Sequence, residues 1–235
     1  MTAILVTRPS GASDPLVAEL ESRGYTVTAV PTVVTRPLQF HWPELGAFDW
    51  VLVTSTAGVD SLPDVPAGPR WAAVGETTAG ALRAKGVEVD FVPPDSSGAA
   101  MASVLPDPEG MRILLVRASA ADADLPAALR KRGAFITEIA AYETVEGPRD
   151  SAAALRRALA RTDLAAVVFA SGSAVRGFIK LGGGNSLPAV TIGPRTTSAA
   201  RAAGFTVAAE AVSPDVEQLA AAVERAIPVE VGRDG

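Results

Sequence analysis

Four short segments gather hydroxyl groups in a pattern that could do chemistry. They are Thr54-Ser55-Thr56, Gly75-Glu76-Thr77-Thr78, Ser171-Gly172-Ser173 and Gly193-Pro194-Arg195-Thr196-Thr197. Each follows a short apolar run and precedes residues with helical spacing, so each reads as a strand end opening into a helix. Two roles suit such a turn. Serine and threonine cap helices by accepting the N–H groups of the first turn. Alternatively, those N–H groups, the positive end of the helix and the hydroxyls together attract carboxylates or phosphates. Capping explains any one of the four. Four at once would suit a ligand carrying several negative charges, because ligands of open α/β sheets collect beyond the carboxyl ends of strands.

Other residues are open to more than one reading. Arg8 and Arg117 follow two similar apolar strands and could clamp carboxylates or pair with surface acids. Tyr142 opens a connecting segment, where packing is one reading of it and a functional role the other. His41, beside Trp42, reads as solvated or packed, and Asp122 and Asp124 read as a helix start. Gly182-Gly183-Gly184-Asn185 lacks the lysine and spacing of a phosphate loop.

Composition narrows the chemistry further. With no cysteine and one histidine, thiolate catalysis, disulfides and multi-histidine metal sites are excluded. No metal is expected. The net charge of −5 argues against nucleic acid as a partner. Arginine supplies all but Lys85, Lys131 and Lys180 of the 21 cations, which favours bidentate anion recognition if it is not a general compositional bias. No apolar run approaches the roughly 18–20 residues that span a bilayer. The chain enters a strand pattern at Ala3 without a basic leader, so the expected location is cytoplasmic.

The elements that must position these residues alternate. Apolar runs occur at Ala3–Val6, Trp50–Val53, Trp71–Val74, Glu88–Val92, Arg112–Val116, Phe135–Ala140, Ala165–Phe169 and Ala189–Ile192. Most are continuous, as in parallel strands covered on both faces. Between them lie helical pairs such as Leu16/Leu20, Leu125/Leu129 and Leu155/Leu159, and a stripe of Val216, Leu219, Val223 and Ile227. Asp14, Asp150 and Ser213 stand where N-caps are wanted, and Gly24, Gly86, Gly133 and Gly204 where C-caps are. The tail from Pro228 to Gly235 reads as frayed. The fold class is α/β, with parallel sheets.

The chain also repeats at long range. Ile4–Arg8 is answered by Ile113–Arg117, and Arg23-Gly24 by Arg132-Gly133, both 109 residues on. Val51–Ser55 is answered by Val167–Ser171 after 116, and Gly75 by Gly193 after 118. Three βα units in the same order imply two similar lobes. Thr32–Gly46 and Tyr142–Arg149 interrupt the alternation and read as connectors, each opening with β-branched residues that allow a two-stranded ribbon.

The ordered motifs resemble the uroporphyrinogen-III synthase family. They are Leu5-Val6-Thr7-Arg8-Pro9, Phe48–Ser55, Ala73–Ala79, Ala141–Val145, Val168–Val175 and Ile192–Thr197, covering about residues 3–225. The pattern departs at Gly58, where alanine is usual, and at Ala170, where threonine or serine is common. The resemblance implies two flavodoxin-like parallel-sheet lobes joined by a two-stranded β connector, with the active site in the cleft between them. One lobe would be 1–34 with 147–235, the other 48–140, and 35–47 and 141–146 the connectors. It implies that linear hydroxymethylbilane, with its eight carboxylates, loses its hydroxyl, inverts ring D and closes to uroporphyrinogen III in heme biosynthesis. It implies no cofactor and a small-molecule substrate; a monomer without a membrane partner is the simplest expectation beside it. Tyr142 would be catalytic. Arg8, Thr54, Ser55, Gly75, Thr78, Arg117, Ser171, Gly172, Gly193 and Thr196 would bind substrate. A two-lobe sensor that binds a tetrapyrrole or another polyanion without turnover is the alternative.

Overall fold

The structure is a computed structural model that describes residues 2–8, 14–65 and 67–229. The expectation of a frayed tail falls mostly on residues 230–235, outside the described residues, as does Pro9 of the opening motif.

In chain order the first elements are β1 (Ala3–Val6), α1 (Pro15–Ser22), β2 (Thr26–Ala29), β3 (Val33–Pro37), β4 (Trp50–Val53), α2 (Thr56–Asp60), β5 (Arg70–Ala73) and α3 (Glu76–Ala84). Then come α4 (Gly98–Val104), β6 (Arg112–Ala118), α5 (Asp124–Lys131), β7 (Phe135–Glu146) and α6 (Ala152–Leu159). The last are β8 (Leu164–Phe169), α7 (Gly172–Lys180), β9 (Ala189–Thr191), α8 (Pro194–Ala202), β10 (Val207–Glu210) and α9 (Val216–Ala226).

They form two compact units, residues 1–34 with 145–235 and residues 35–144. The first unit holds a sheet of order β10-β9-β8-β1-β2, the second a sheet of order β3-β7-β6-β4-β5. In the first sheet β1 pairs in parallel with both β8 and β2, and in the second β6 pairs in parallel with both β4 and β7. The stretch β9-β8-β1-β2 therefore matches β5-β4-β6-β7 strand for strand. This is the sequence repeat, with its two halves exchanged between the units. Gly24 and Gly133, 109 residues apart, both leave a helix at positive φ (86° and 87°), a conformation that glycine adopts without strain.

Each sheet is covered on both faces, which is why its central strands are continuously apolar. Ile4 and Val6 pack with Leu16 and Leu20 of α1 and Leu219 and Val223 of α9. Leu5 faces the other way, with Val167, Phe169, Val175 and Phe178. In the second unit Val51 and Val53 pack with Val59, Ala79, Leu82 and Tyr142, while Trp50 and Leu52 pack with Met101, Leu125 and Leu129. Alternate strand residues thus feed two separate cores.

Three local expectations need correction. Glu88–Val92 is not a strand; among the described residues it makes one bridge, Phe91 to Ala72. The Asp90 carboxylate instead accepts the Trp71 N–H at 2.8 Å, so a side chain takes the place of a ladder bond. The N-cap of α9 is Asp215 rather than Ser213, whose hydroxyl donates to Asp215 instead. Asp150 lies in a single 3₁₀ turn ahead of α6, whose flanking residue is Ser151. Asp14 does cap α1, accepting the Leu16 N–H at 2.9 Å.

The two chain crossings lie in β3 and β7, which are neighbours in the second sheet. Leu38 N donates to Ala141 O, and Gly147 N donates to Thr32 O, both at 2.8 Å. One strand advances as the other retreats between these bonds, so the two run antiparallel. The segment after β3 is packed rather than loose. Phe40 meets Trp42 edge-on at 5.3 Å, Trp42 meets Trp71 at 6.1 Å, and the Trp42 indole N–H donates to Asp64.

Glu146 ends β7 in a clamp. Its Oε1 accepts from Arg176 at 2.9 and 2.6 Å, and its Oε2 from Lys180 at 3.0 Å. Hydrogen bonding from Arg176, against an opposing burial effect, holds this carboxyl below its ordinary value of 4.5. A lowered native pKa contributes stability above the unfolded value and loses it as pH falls through the native one. The two cations are 60% and 59% exposed, so the clamp contributes about 1 kcal/mol at most. Glu146→Gln should therefore lower Tm by about 2–4 °C at pH 7. In thermal scans the difference from the parent should shrink below pH 4.5.

Candidate active site

All four hydroxyl-rich turns sit where expected, at the carboxyl ends of parallel strands and the amino ends of helices. In the second unit β4 runs into Thr54 and Ser55, and Ser55 is the N-cap of α2. The Ser55 Oγ accepts the Gly58 N–H at 3.1 Å and donates to the Tyr142 Oη at 2.8 Å. Tyr142 arrives from β7, opposite Ala118 of β6, and is 8% exposed. The fold thus joins two candidates that are 87 residues apart in the chain.

Thr54 is tied to β6 through its N–H and its hydroxyl, both directed at Val116 O. Gly75 is the N-cap of α3 and has no capping side chain. A Cβ there would lie 2.4 Å from the Ser96 Oγ, so Ser96 occupies the space that glycine leaves. Thr78 is buried in the first turn of α3, and its hydroxyl bonds to no other described residue.

Thr54, Ser96, Ser97, Gly98, Arg117 and Asp122 line a cleft of about 260 Å³ at these strand ends. It lies where β4 and β6 are neighbours and the connections diverge, the usual ligand position in such sheets. Arg117 is 6% exposed and already engaged, pairing with Glu138 at 3.2 Å and donating to the Asp122 carbonyl. A larger hollow of about 570 Å³, around Arg112 and Phe135, lies at the opposite, amino ends of β6 and β7, away from the helix-opening turns.

The first unit presents the same pattern. Ser171 caps α7, accepting the Ala174 N–H at 3.1 Å, and its hydroxyl meets the Ser173 Oγ at 2.9 Å. Gly172 lies against α8, where a Cβ would meet the Ala199 Cβ at 3.3 Å. Gly193 opens α8 in extended backbone, and Thr196 is buried one turn in, with a hydroxyl that bonds to no other described residue. Thr197 is held from behind by Thr191 at 2.5 Å and by Glu210. Arg8 follows β1 and pairs with Asp14 at 3.3 Å. Both clamping arginines therefore have a carboxylate partner in the chain.

Asp95-Ser96-Ser97-Gly98 was missed by sequence reasoning as a site segment. Ser97 caps α4, 118 residues before the α9 cap Asp215, so the repeat carried the signal. Glu138 was missed because its partners, Arg117 on β6 and Arg130 on α5, reach it only when the β6-α5-β7 unit packs. His41 is exposed, and among the described residues no three metal-binding side chains converge.

The sequence model of the family described as uroporphyrinogen-III synthase HemD matches residues 14–221. The chain belongs to the uroporphyrinogen-III synthase family. A uroporphyrinogen-III synthase of Synechococcus elongatus is 29% identical over 226 residues, with 83% of each chain covered. One of Chlorobaculum parvum is 27% identical over 226 residues, covering 88% of this chain and 92% of its own. The crystal structure of uroporphyrinogen-III synthetase from Helicobacter pylori superposes with a TM-score of 0.69 at 17% identity, over 93% of this chain and 96% of that one. A mutant uroporphyrinogen III synthase of Thermus thermophilus superposes with a TM-score of 0.62 at 20% identity, over 96% and 98%. These superpositions show the two-lobe α/β fold. Gly58 lies close to this site. A Cβ there would approach Val53 to 3.1 Å and the Ser55 Oγ to 3.5 Å, beside the tyrosine contact.

Proposed function

We propose that this chain is a lyase of tetrapyrrole biosynthesis that cyclises hydroxymethylbilane to uroporphyrinogen III, inverting ring D and losing water. The observation that carries this reading is the family match over residues 14–221. It agrees with the doubled set of helix-opening turns, whose N–H groups and hydroxyls suit the carboxylates of such a substrate. In this reading the turns at Thr54, Gly75, Ser171, Gly172 and Gly193, with Thr78, Thr196, Arg8 and Arg117, hold the substrate. The hydroxyls of Thr78 and Thr196, on largely buried residues and without a partner among the described residues, are donors left for it.

Tyr142 supplies a proton as the C–O bond of the hydroxymethyl group breaks. The bonding pair leaves with oxygen, which departs as water, and the adjacent pyrrole nitrogen fills the electron deficit. The α-carbon of ring D that already carries the chain attacks this methylene. Its older bond to the chain methylene then breaks, and the pyrrole nitrogen next to that methylene fills the new deficit. The methylene rejoins ring D at its other α-carbon, whose released proton returns to the tyrosine. The protein directs which carbon of ring D closes the ring by holding that ring in place. About 3 kcal/mol of preference gives more than a hundredfold bias. The reading also has the protein acting as a cytoplasmic monomer without a cofactor. No described helix is long and apolar enough to cross a membrane.

The test is turnover of hydroxymethylbilane with the uroporphyrinogen isomers separated. The type III isomer should dominate and form faster than the spontaneous type I product. Type I alone, with tight substrate binding, would instead make the protein a polyanion sensor.

A further inference from the structure

We infer that Ser55 is a positioning residue for Tyr142, its hydroxyl donating to the phenolic oxygen so that the tyrosine proton is left for the substrate's leaving hydroxyl. This rests on the proposed cyclisation and on Tyr142 as its proton donor.

The comparison of two serines carries the inference. Ser55 and Ser171 occupy equivalent strand ends, with nearly the same backbone (φ −162° and −166°). Each Oγ accepts an N–H from three residues on, at 3.1 Å. Helix capping is met equally in both. They differ in the remaining hydrogen. The Ser171 hydroxyl meets Ser173, whereas the equivalent position beside Ser55 is Ala57, and the Ser55 hydroxyl donates to Tyr142 at 2.8 Å. Capping cannot explain that second bond.

Its consequence lies in the proton count. A phenol has one proton, and with Ser55 donating to its oxygen that proton points to a third group. No other described residue bonds to the Tyr142 hydroxyl. The tyrosine backbone is held, with Ser119 N donating to Tyr142 O and Leu38 N to Ala141 O, both at 2.8 Å. A hydrogen bond donated to the phenolic oxygen also stabilises the negative charge that grows there as the proton leaves. Ser55 then has no hydrogen left for a substrate carboxylate, so its effect falls on the rate of water loss rather than on binding.

The experiment measures kcat and KM for type III formation from hydroxymethylbilane, with Tm, for Ser55→Ala, Ser55→Gly, Ser55→Thr, Tyr142→Phe and the Ser55→Ala/Tyr142→Phe pair. Ser55→Ala and Ser55→Gly should lower kcat about tenfold or more with KM within about twofold. Glycine is a nearly adequate N-cap, so Ser55→Gly separates loss of the donor from loss of the cap. Ser55→Thr should restore most of the rate. The double variant should be no slower than Tyr142→Phe alone, because both changes remove one device. A raised KM at constant kcat would make Ser55 a substrate contact and overturn the inference. So would a lower Tm with kcat unchanged. If Tyr142→Phe is slow while the Ser55 variants are not, only this inference falls. If Tyr142→Phe retains full kcat, the role of the tyrosine itself fails.

Discussion

Replacing Gly177 with alanine is expected to lower stability by about 3 kcal/mol or more, the upper end of overpacking costs. Gly177 lies within α7, where alanine would ordinarily gain up to about 1 kcal/mol. Here the new Cβ would lie 1.9 Å from the Thr32 carbonyl oxygen and 2.9 Å from the Gly147 nitrogen. Neither neighbour can retreat cheaply. Thr32 is fully buried, its hydroxyl donates to Ala174 O at 2.9 Å, and its carbonyl accepts from Gly147 N at 2.8 Å. Helix α7 therefore approaches both chain segments that leave the first unit, and only glycine permits the approach. Gly80 of α3 is the matched control, being exposed, with nothing within 4 Å of where an alanine Cβ would stand. Gly80→Ala should be neutral or stabilising. Thermal unfolding followed by circular dichroism should show Tm falling by about 6–12 °C for Gly177→Ala. A Tm within a degree of the parent would mean that α7 and Thr32 do not meet in this way.

Tyr142→Phe should lower kcat for type III formation about a hundredfold, the lower end of general-acid effects, since the pyrrole nitrogens already assist departure of the hydroxyl. The ring stays packed against the second unit's core, so Tm should fall by no more than about 2–4 °C. The loss of one hydroxyl partner for Ser55 costs roughly 1 kcal/mol. KM should change less than kcat, because carboxylate contacts lie elsewhere in this reading. The product that the variant does make should remain type III, since ring placement does not depend on the phenol. Equal kcat in variant and parent would remove Tyr142 from the chemistry. A shift to type I product among enzyme-formed molecules would make it a residue that places ring D instead.

Both predictions depend on approaches that were legible in the chain only in part. The central strands could be read from it because a strand covered on both faces is apolar at every position, as Ile4-Leu5-Val6 and Val51-Leu52-Val53 are. The helix-ending glycines could be read because positive φ excludes most other residues. The edge strands β2 and β10 could not. β2 is half-buried throughout, and β10 has no fully buried position, so neither carries the run of large apolar residues that marks a central strand. Glu88–Val92 carries the right residue types, yet Asp90 takes the Trp71 N–H with its side chain and the pairing stops at the single bridge of Phe91 to Ala72.

The candidate site divides along the same line. Local chemistry set the turns: Ser55, Ser171 and Asp14 cap because each precedes a helix by one residue, a relation visible in any linear sequence. The repeat at 109 to 118 residues likewise foretold two similar sheets, since equal patterns must bury equal faces. Partner choice was not local. Tyr142 meets Ser55 across 87 residues, and Arg117 meets Glu138 across 21, because β4, β6 and β7 lie side by side. Short-range periodicity reports burial and turns. Which hydroxyl faces which depends on strand order and register, and those are decided only when separate segments of the chain pack together.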